Sequence, residues 1–343
     1  MSSLNVPVLF IIGSGDESDR IAHAGGTKIF VSGASDLHRL LLDSDPYELL
    51  HVSRNFFRQT RETRIQHYRV LVNLITEPEQ SRRTLDNLRK LLRGVPGKII
   101  NRPDAVLRST RDSVARILNG IPGLIVPKAA RLGGNKPAVA AQKLGPAGVP
   151  LPIILRHAGT HGGAIVGLFH SAEEAVAALE PGHDHLATQF VDFSSADGLY
   201  RKYRVFLIGR HLVLRHMLVS DSWNVHANTR SQYMAPRPEL VFEERALMEL
   251  ETPFLPKVQG ILQAVQERMP LDFFGMDFGL TKNGEVVLFE ANATMSFFPF
   301  SSDPQFSYLF KSFEPARNAF RELLGLQSTA QPMPSIRLQI QPS

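Results

Sequence analysis

Two carboxylates and an amide near the C-terminal end of the sequence have the types and spacing of a metal site. Residues 276–295 read MDFGLTKNGEVVLFEANATM, and the Asn-Gly dipeptide at 283–284 is the strongest short signal for a β-hairpin. A two-residue loop would place Asp277 opposite Glu290, with Asn292 on the same face. Because opposed like charges destabilise a strand pair, a divalent cation would relieve the repulsion. Oxygen donors of this kind suit Mg²⁺.

The same register gives the hairpin a continuous apolar face. On this face three pairs lie opposite each other, namely Met276 with Ala291, Phe278 with Phe289, and Leu280 with Val287. The alternative to a metal site is a surface hairpin whose two carboxylates are simply solvated.

A second stretch, RHAGTHGGAIV at 156–166, is a glycine-rich turn between two predicted strands. Glycines let backbone N–H groups approach an anion, so this turn could bind phosphate, with Arg156 adding charge; a tight hairpin is the alternative. A strand rather than a helix follows the glycines, which excludes the common nucleotide-binding fingerprints. His157 and His161 could ligate zinc, but no third ligand is near in the sequence, so zinc is not favoured.

Length and composition predict a soluble cytoplasmic protein. The 343 residues allow two or three domains or subdomains, and 43% hydrophobic content is ample for packed cores. No cysteine is present, which excludes disulfides, thiolate catalysis and cysteine-ligated zinc and fits a reducing compartment. The longest early apolar run, 6–12, is too short for a signal sequence or a membrane span.

Charge is distributed unevenly along the chain. The net charge is +5, and by our count from the sequence Lys and Arg outnumber Asp and Glu by 15 to 6 within residues 54–116. Such a basic lobe could face phosphates, an acidic peptide or nucleic acid, or it could be a solvated helix face. No zinc-finger spacing or RNA-binding aromatic motif accompanies it, so a nucleic-acid partner is not favoured.

Apolar runs in the first hundred residues surround a leucine-rich helical pattern that ends at Gly94. The runs predict strands at 6–13, 28–33, 68–75 and 98–101. Because strand, helix and strand in this order indicate parallel pairing, residues 1–103 are expected to form a small doubly wound α/β domain.

Farther along, residues 131–150 are predicted to be loop with room for a short helix, because they are rich in Gly, Ala and Pro. A Ser-x-x-Glu capping box begins a predicted helix at 171–180. Another helix is expected at 305–325, and the Gln/Pro/Ser-rich tail 327–343 is expected to be disordered.

Taken together, these pieces resemble the ATP-grasp superfamily, especially the ribosomal-protein glutamate ligases, glutathione synthetase and D-alanine–D-alanine ligase. The similarity covers roughly residues 100–325, and the Asp…Glu-x-Asn element is its specific part. The resemblance implies an α/β chain with α+β elements. A pre-ATP-grasp domain (1–103) would precede a central subdomain with the glycine-rich loop (104–193) and a C-terminal subdomain with the metal site (194–326).

The resemblance also implies that two sheets clamp ATP and Mg²⁺ (or Mn²⁺) between them. The implied metal ligands are Asp277, Glu290 and Asn292. The implied nucleotide-binding residues are Arg156, Gly159, Thr160, His161, Gly162, Gly163, Gln189, Phe190, Val191, Asp192 (or Asp197) and Lys202. The implied catalytic residues are Arg204, Asn224 and His226, and whether His226 or Asp221 acts as a base is left open.

The sequence departs from the pattern of the superfamily at three places. The first lysine, at a helix start after an Asp, is replaced by Ser113. Arg111 or Arg116 could take its place, but an arginine binds phosphate through two hydrogen bonds, whereas a lysine acts as a point charge. The arginine two before the first metal Asp is Gly275. The Pro-Gly that usually follows Asn-x-Ser/Thr is absent, because Asn292 is followed by Ala293, Thr294 and Met295. These changes are compatible with nucleotide binding and bear on the acceptor substrate and, to a lesser degree, on catalytic competence.

The implied activity is that of an ATP-dependent carboxylate–amine ligase. It would act through an acyl phosphate on an amino acid, peptide or protein, and it would release ADP and phosphate. Two alternatives stay open: a nucleotide-binding protein of this fold without turnover, and a kinase of a small molecule. The expected partner is a small molecule or a peptide and not a membrane, and a homodimer is left open.

Overall fold

The structure is a computed structural model of the chain. It describes residues 8–13, 15–16, 22–23, 29–30, 34–59, 63–134, 136–146, 148–158 and 165–326. Several predicted features lie outside the described residues, namely the glycine-rich loop with Gly159, Thr160, His161, Gly162 and Gly163, and the tail 327–343. No helix in the described part of the chain has the length and apolar character that crossing a bilayer requires.

The N-terminal part is built on a four-stranded parallel sheet in the order β4-β1-β5-β6. In chain order its strands and helices are β1 (Val8–Ile12), β2 (Ala22–His23), β3 (Ile29–Phe30), a 3-10 helix (Leu37–Leu40), β4 (Tyr47–His51), α1 (Phe56–Gln59), β5 (Val70–Asn73), α2 (Arg82–Leu91), β6 (Lys98–Ile100) and α3 (Pro103–Leu107). Strands β2 and β3 form a separate antiparallel pair. Every residue of β1 is buried, as expected for a central parallel strand, and the predicted parallel α/β unit is confirmed.

The middle of the chain forms a four-stranded antiparallel sheet in the order β10-β9-β11-β8. The elements here are α4 (Arg111–Leu118), β7 (Leu124–Ile125), β8 (Ala129–Gly133), α5 (Pro137–Gln142), β9 (Ile153–His157), β10 (Gly167–Phe169), α6 (Ala172–Ala177) and β11 (Asp184–Gln189). Ser171 caps α6, accepting a 3.2 Å hydrogen bond from the Glu174 N–H, as predicted. The short helix allowed within residues 131–150 is present as α5, whereas the start of this predicted loop is wrong, because β8 pairs with β11 there.

A five-stranded sheet in the order β13-β12-β14-β15-β7 forms the C-terminal part. Its elements are β12 (Tyr200–Ile208), β13 (His211–Ser220), a π-helix (Arg230–Met234), α7 (Pro238–Glu249), α8 (Pro256–Arg268), β14 (Phe273–Leu280), β15 (Val286–Asn292), a 3-10 helix (Pro304–Ser312) and α9 (Phe313–Leu323). Strand β7 joins this sheet parallel to β15. Strand β7 lies within the segment 104–193 that is assigned to the central subdomain, yet it belongs to the C-terminal sheet. The predicted division into three subdomains therefore stays a prediction.

The turn between β14 and β15 differs from the predicted two-residue loop. Thr281 and Glu285 close the loop, with the Thr281 N–H donating to the Glu285 carbonyl at 3.0 Å and the Gly284 N–H to the Thr281 carbonyl at 2.8 Å. Gly284 has a φ of +71°, whereas Asn283 does not have a positive φ. The loop therefore holds three residues and ends in a left-handed glycine, which shifts the pairing next to the turn by one residue.

A β-bulge farther from the turn shifts the register back. The apolar pairs next to the turn are not the predicted ones: they are Phe278 with Leu288 and Leu280 with Val286, in place of Phe289 and Val287. Phe289 is the extra residue, and beyond it Asp277 pairs with Glu290. The acidic pair is therefore confirmed, although two local deviations that cancel each other produce it.

One asparagine joins the N-terminal sheet to the C-terminal sheet. Asn101, fully buried just after β6, has a φ of 52°. Its side chain accepts from the Asp272 N–H (2.7 Å) and the Phe273 N–H (3.2 Å) and donates to the Phe273 carbonyl (3.0 Å). Its own N–H donates to Asp272 Oδ2 at 2.6 Å, and its carbonyl accepts from Asn73 Nδ2 at 2.9 Å. These bonds fix the entry of β14, the strand that carries Asp277.

Candidate nucleotide and metal site

A cavity of about 490 Å³ lies where the three sheets meet. This size is in the range of pockets that hold a ligand of several hundred daltons. The cavity is lined by most of the residues predicted from the sequence, namely Arg156, Gln189, Phe190, Val191, Lys202, Arg204, Asn224, His226, Asp277, Glu290 and Asn292. The fold thus brings together predicted residues that are as far as 136 positions apart in the chain, from Arg156 to Asn292.

Asp277 is the most buried acidic group of the cavity, with 4% of its surface exposed. Arg204 lies beside it on β12, in register, and its guanidinium donates to both carboxylate oxygens at 2.7 and 2.9 Å. Lys202 Nζ is 3.5 Å from the same carboxylate. Burial alone would raise the pKa of Asp277, but the charges of Arg204 and Lys202 outweigh burial and lower the pKa. Asp277 is therefore ionised at neutral pH.

Glu290 has its own cation, which comes from a different part of the chain. Arg111, the first residue of α4, donates to Glu290 Oε1 at 2.6 Å, and Asn292 Nδ2 donates to the same oxygen at 2.7 Å. The repulsion between Glu290 and Asp277 is thus balanced by protein cations. This corrects the expectation that a metal is needed to relieve the repulsion, and the opposed carboxylates alone are not evidence for one.

The structure distinguishes the two arginines that could replace the missing lysine. Arg111 reaches into the site, whereas Arg116 stays on the helix surface beside Ser113 and Asp112, with 77% of its side chain exposed. Arg156 is a further cavity cation, and burial, followed by the nearby charge of Arg111, lowers its pKa to about 10. The cavity therefore holds partly desolvated cations that would gain from binding a polyanion.

The predicted hinge strand forms one apolar wall of the cavity. The Phe190 N–H donates to the Pro152 carbonyl at 2.8 Å, and the Phe190 ring packs edge-on against Trp223 at 5.6 Å between centroids. Gln189, Val191 and Phe289 extend this wall. An apolar slot beside a group of cations fits a ligand with a flat ring at one end and anionic groups at the other.

The two candidate ribose ligands are not among the described residues that line the cavity. Asp192 accepts hydrogen bonds from the Ser194 N–H (2.9 Å) and the Ser194 hydroxyl (3.0 Å) in a local turn. Asp197 forms a two-bond ion pair with Arg201, which also binds Glu243. Binding of the ribose by either residue therefore stays a prediction, and the positions of Asp192 and Asp197, both held in local contacts outside the cavity lining, do not support it.

The N-terminal part contributes cavity residues that the sequence analysis missed. Asp36, His38 and Arg39 all line the cavity. The Asp36 carboxylate accepts from the Phe297 and Phe298 N–H groups, both at 2.9 Å, and Arg39 lies over the Phe298 ring at 4.3 Å. Burial and then the charge of Arg39 lower the pKa of His38 to about 4, so this ring is neutral. No motif surrounds these residues, so only the fold reveals them.

The donor set at the acidic pair fits Mg²⁺ in its chemistry. Asp277 and Glu290 offer hard carboxylate oxygens from directly paired positions. Asn292 currently uses Oδ1 to accept from the Met295 N–H at 2.8 Å and Nδ2 to hold Glu290. In this arrangement Asn292 orients Glu290, and its role as a third metal ligand stays a prediction.

Comparisons with known proteins bear on the fold. No family model and no curated protein matches the sequence. A VanG D-Ala:D-Ser ligase from Enterococcus faecalis has a similar structure, with a TM-score of 0.51 and 12% identity, covering 94% of this chain and 99% of the ligase. An N5-carboxyaminoimidazole synthase from Aspergillus clavatus, solved with ADP and 5-aminoimidazole ribonucleotide, has a TM-score of 0.50 and 15% identity, covering 95% of this chain and 79% of the synthase.

A third similar structure is a RiPP-associated ATP-grasp ligase from Chryseobacterium gregarium, solved with ADP and a leader and core peptide. Its TM-score is 0.50 and its identity 9%, and the match covers 93% of this chain and 97% of the ligase. At identities this low, the structural similarity shows a common fold. Since each match covers more than nine-tenths of this chain, the chain has the ATP-grasp fold.

Proposed function

We propose that the protein is an ATP-dependent carboxylate–amine ligase. The observation that carries the proposal is the convergence of an acidic pair, three cations and an apolar wall on one cavity, with a fourth cation reaching the pair from the adjacent small cleft. The acidic pair is Asp277 and Glu290, the cavity cations are Arg156, Lys202 and Arg204, and Arg111 binds Glu290 from the cleft. Anions and cations in one desolvated site match the needs of a phosphoryl-transfer centre, which works mainly by positioning and electrostatics.

Asp277 and Glu290, with Asn292 beside them, would hold Mg²⁺, which when bound supplies charge that neutralises phosphate oxygens. The cations would have a second task. In the structure, Arg204 and Arg111 are paired with the carboxylates, and both lie beside the cavity. We propose that they bind phosphate oxygens of ATP, because an arginine can form two parallel hydrogen bonds to a phosphate as it does to a carboxylate.

The proposed reaction has two steps. An oxygen of the substrate carboxylate attacks the γ-phosphorus, the bond to the bridging oxygen breaks, and ADP leaves. The amine nitrogen then attacks the acyl carbon, inorganic phosphate leaves, and the nitrogen loses a proton. Lys202, Arg204 and Arg156 would stabilise the negative charge that develops on the transferring group.

The position of His226 favours a role as a hydrogen-bond donor. Its Nδ1 accepts from the Asn228 N–H at 3.2 Å, so the neutral ring carries its proton on Nε2. Asp221, the other candidate base, is exposed and is not among the described residues that line the cavity. We therefore propose that His226 and Asn224 orient a substrate and that neither is the general base.

We propose an amino acid or a peptide as the substrate. The cavity continues from the cations to Asp36, His38 and Arg39 on the N-terminal part. Arg39 would suit a carboxylate and Asp36 an amine. That a ligase of the same fold was solved with a leader and core peptide supports testing peptides.

Arg111 and Arg116 provide a matched pair of variants for the nucleotide site. We expect Arg111→Ala to weaken ATP binding by about 10- to 100-fold, because a charge-assisted hydrogen bond to phosphate contributes about 1.5–3 kcal/mol. Arg116→Ala, five residues along the same helix, should change the affinity by less than about twofold, since its side chain is exposed. Isothermal titration calorimetry with ATP and Mg²⁺ measures both. Equal affinities in the two variants would contradict the proposed position of the phosphates.

The carboxylate–arginine pairs also favour a second candidate function. Both Asp277 and Glu290 are already neutralised by Arg204 and Arg111, so the site is electrostatically balanced without a metal. A protein that binds a nucleotide without turning it over would need no more than this. Release of ADP in the presence of both co-substrates distinguishes the ligase from this alternative.

A further inference from the structure

Two histidines and a glutamate meet at one end of the central antiparallel sheet. His157 is the last residue of β9 and lies directly across from His185 on β11, with 4.7 Å between the ring centroids. Glu180 comes from the turn before β11, and its Oε1 is 3.3 Å from His157 Nε2. One ligand atom from each of the three residues lies within 4.8 Å of the other two.

His185 is the buried member of this cluster. It is fully buried, and its Nδ1 has no hydrogen-bond partner among the residues that the structure describes. Its Nε2 accepts one long bond, 3.5 Å, from the Glu180 N–H. Buried polar side-chain atoms usually have a partner, and at this position a second imidazole and a carboxylate lie close enough to share a ligand with His185.

The distance between two of the ligand atoms matches that of a tetrahedral zinc site, and the third lies within 4.8 Å of both. With bond lengths of about 2.0–2.2 Å, neighbouring ligands of tetrahedral Zn²⁺ are about 3.4 Å apart. His157 and Glu180 already have this separation. An ion pair between these two would account for their contact, but it would not account for His185.

We propose that His157, His185 and Glu180 bind a divalent transition metal, with Zn²⁺ as the best match. Two imidazoles and one carboxylate favour Zn²⁺ over Mg²⁺, which prefers oxygen ligands only. His183, whose Nδ1 is 3.8 Å from Glu180 Oε2, or a water molecule would complete the coordination. This centre is separate from the all-oxygen donor set of Asp277 and Glu290.

A bound metal would stabilise the ends of two strands next to the cavity. It would tie the end of β9 to the start of β11, and Arg156 is the residue before His157. His157 also lines a small cleft together with Arg111 and Glu290. A bound ion would therefore hold in place the strand end that presents a cavity cation.

Metal binding can be measured on the full chain without any reference to activity. Tag-free protein is treated with EDTA, exchanged into buffer with excess Mg²⁺ to occupy oxygen sites, and titrated with Zn²⁺ alone by calorimetry. We expect one equivalent of Zn²⁺ per chain and a higher unfolding temperature. Co²⁺ in place of Zn²⁺ should give the visible absorption of a tetrahedral site.

The variants His157→Ala and Glu180→Gln carry the test, because both side chains are partly exposed and each change is expected to leave the fold intact. Each should weaken Zn²⁺ binding by at least about 100-fold, since even the loss of a group that only supports a ligand costs about 10- to 100-fold. His170→Ala, an exposed histidine after β10, and Asp277→Asn should bind Zn²⁺ as the unmodified chain does. Absence of a stoichiometric site, or unchanged binding in both test variants, would overturn the proposal and leave the proposed ligase function untouched.

Discussion

Asp277→Asn is expected to reduce ATP-dependent ADP release by at least about 100-fold. The change removes a proposed metal ligand and also the charge that holds Arg204 through two hydrogen bonds. Loss of one preorganised electrostatic contact at a reaction centre typically costs about 10²–10³ in rate, and this change affects two. A coupled assay for ADP, with circular dichroism to verify folding, measures the effect.

Asp197→Asn is the matched control for this change. Asp197 binds Arg201 through two hydrogen bonds, as Asp277 binds Arg204, but it lies outside the residues that line the cavity. We expect the control to keep at least about half of the activity, because exposed ion pairs contribute little. Equal losses in the two variants would show that Asp277 acts only through its ion pair and that no reaction centre is formed there.

Asn101→Ala is expected to lower the free energy of unfolding by about 4 kcal/mol. The side chain makes three buried hydrogen bonds to Asp272 and Phe273, each contributing about 1 kcal/mol. The φ of 52° adds about 1 kcal/mol of strain for Ala, since this left-handed conformation suits Asn and Gly. The midpoint and slope of urea denaturation measure the loss.

Asn101→Gly separates the two contributions. It also removes the three hydrogen bonds but relieves the strain, so it should be more stable than Asn101→Ala by about 1 kcal/mol. Asn228→Ala, at an exposed position, should change the free energy by less than about 0.5 kcal/mol. If Asn101→Ala were as stable as Asn228→Ala, the N-terminal sheet would not be fixed to β14 in the way described.

The hairpin shows how far local sequence rules reach. The Asn-Gly signal located the turn, and the apolar pattern of β14 and β15 placed Asp277 opposite Glu290. The loop is one residue longer than predicted, and the bulge at Phe289 compensates for the difference. Bulges form where packing demands them, and Phe289 packs at 4.5 Å against Phe193 from a distant segment. Sequence spacing alone could not predict that contact.

Residues that meet through tertiary packing were the least predictable. Arg111 was one of two candidates, and only the placement of α4 beside β15 selects it. Asp36 carries no motif and reaches the cavity because the N-terminal part packs against the segment around Phe297. In the sequence, His157 has too few nearby ligands for zinc to be favoured. The pairing of β9 with β11 places His185, a residue distant in the sequence, next to it. Motifs report residues that are close in sequence, whereas these sites are assembled across sheets.

The measurement that tests the central claim most directly is the mass of the product. The full chain is incubated with ATP, Mg²⁺ and a panel of amino acids and peptides, and ADP release is monitored for each pair. For the true pair, we predict that ADP release exceeds one equivalent per chain only when both a carboxylate and an amine are present, because the amine is needed to consume the acyl phosphate. Mass spectrometry should then show a product equal to the two substrates joined with loss of one water. A phosphate ester as the product, or bound ATP with no ADP from any pair, would contradict the ligase assignment.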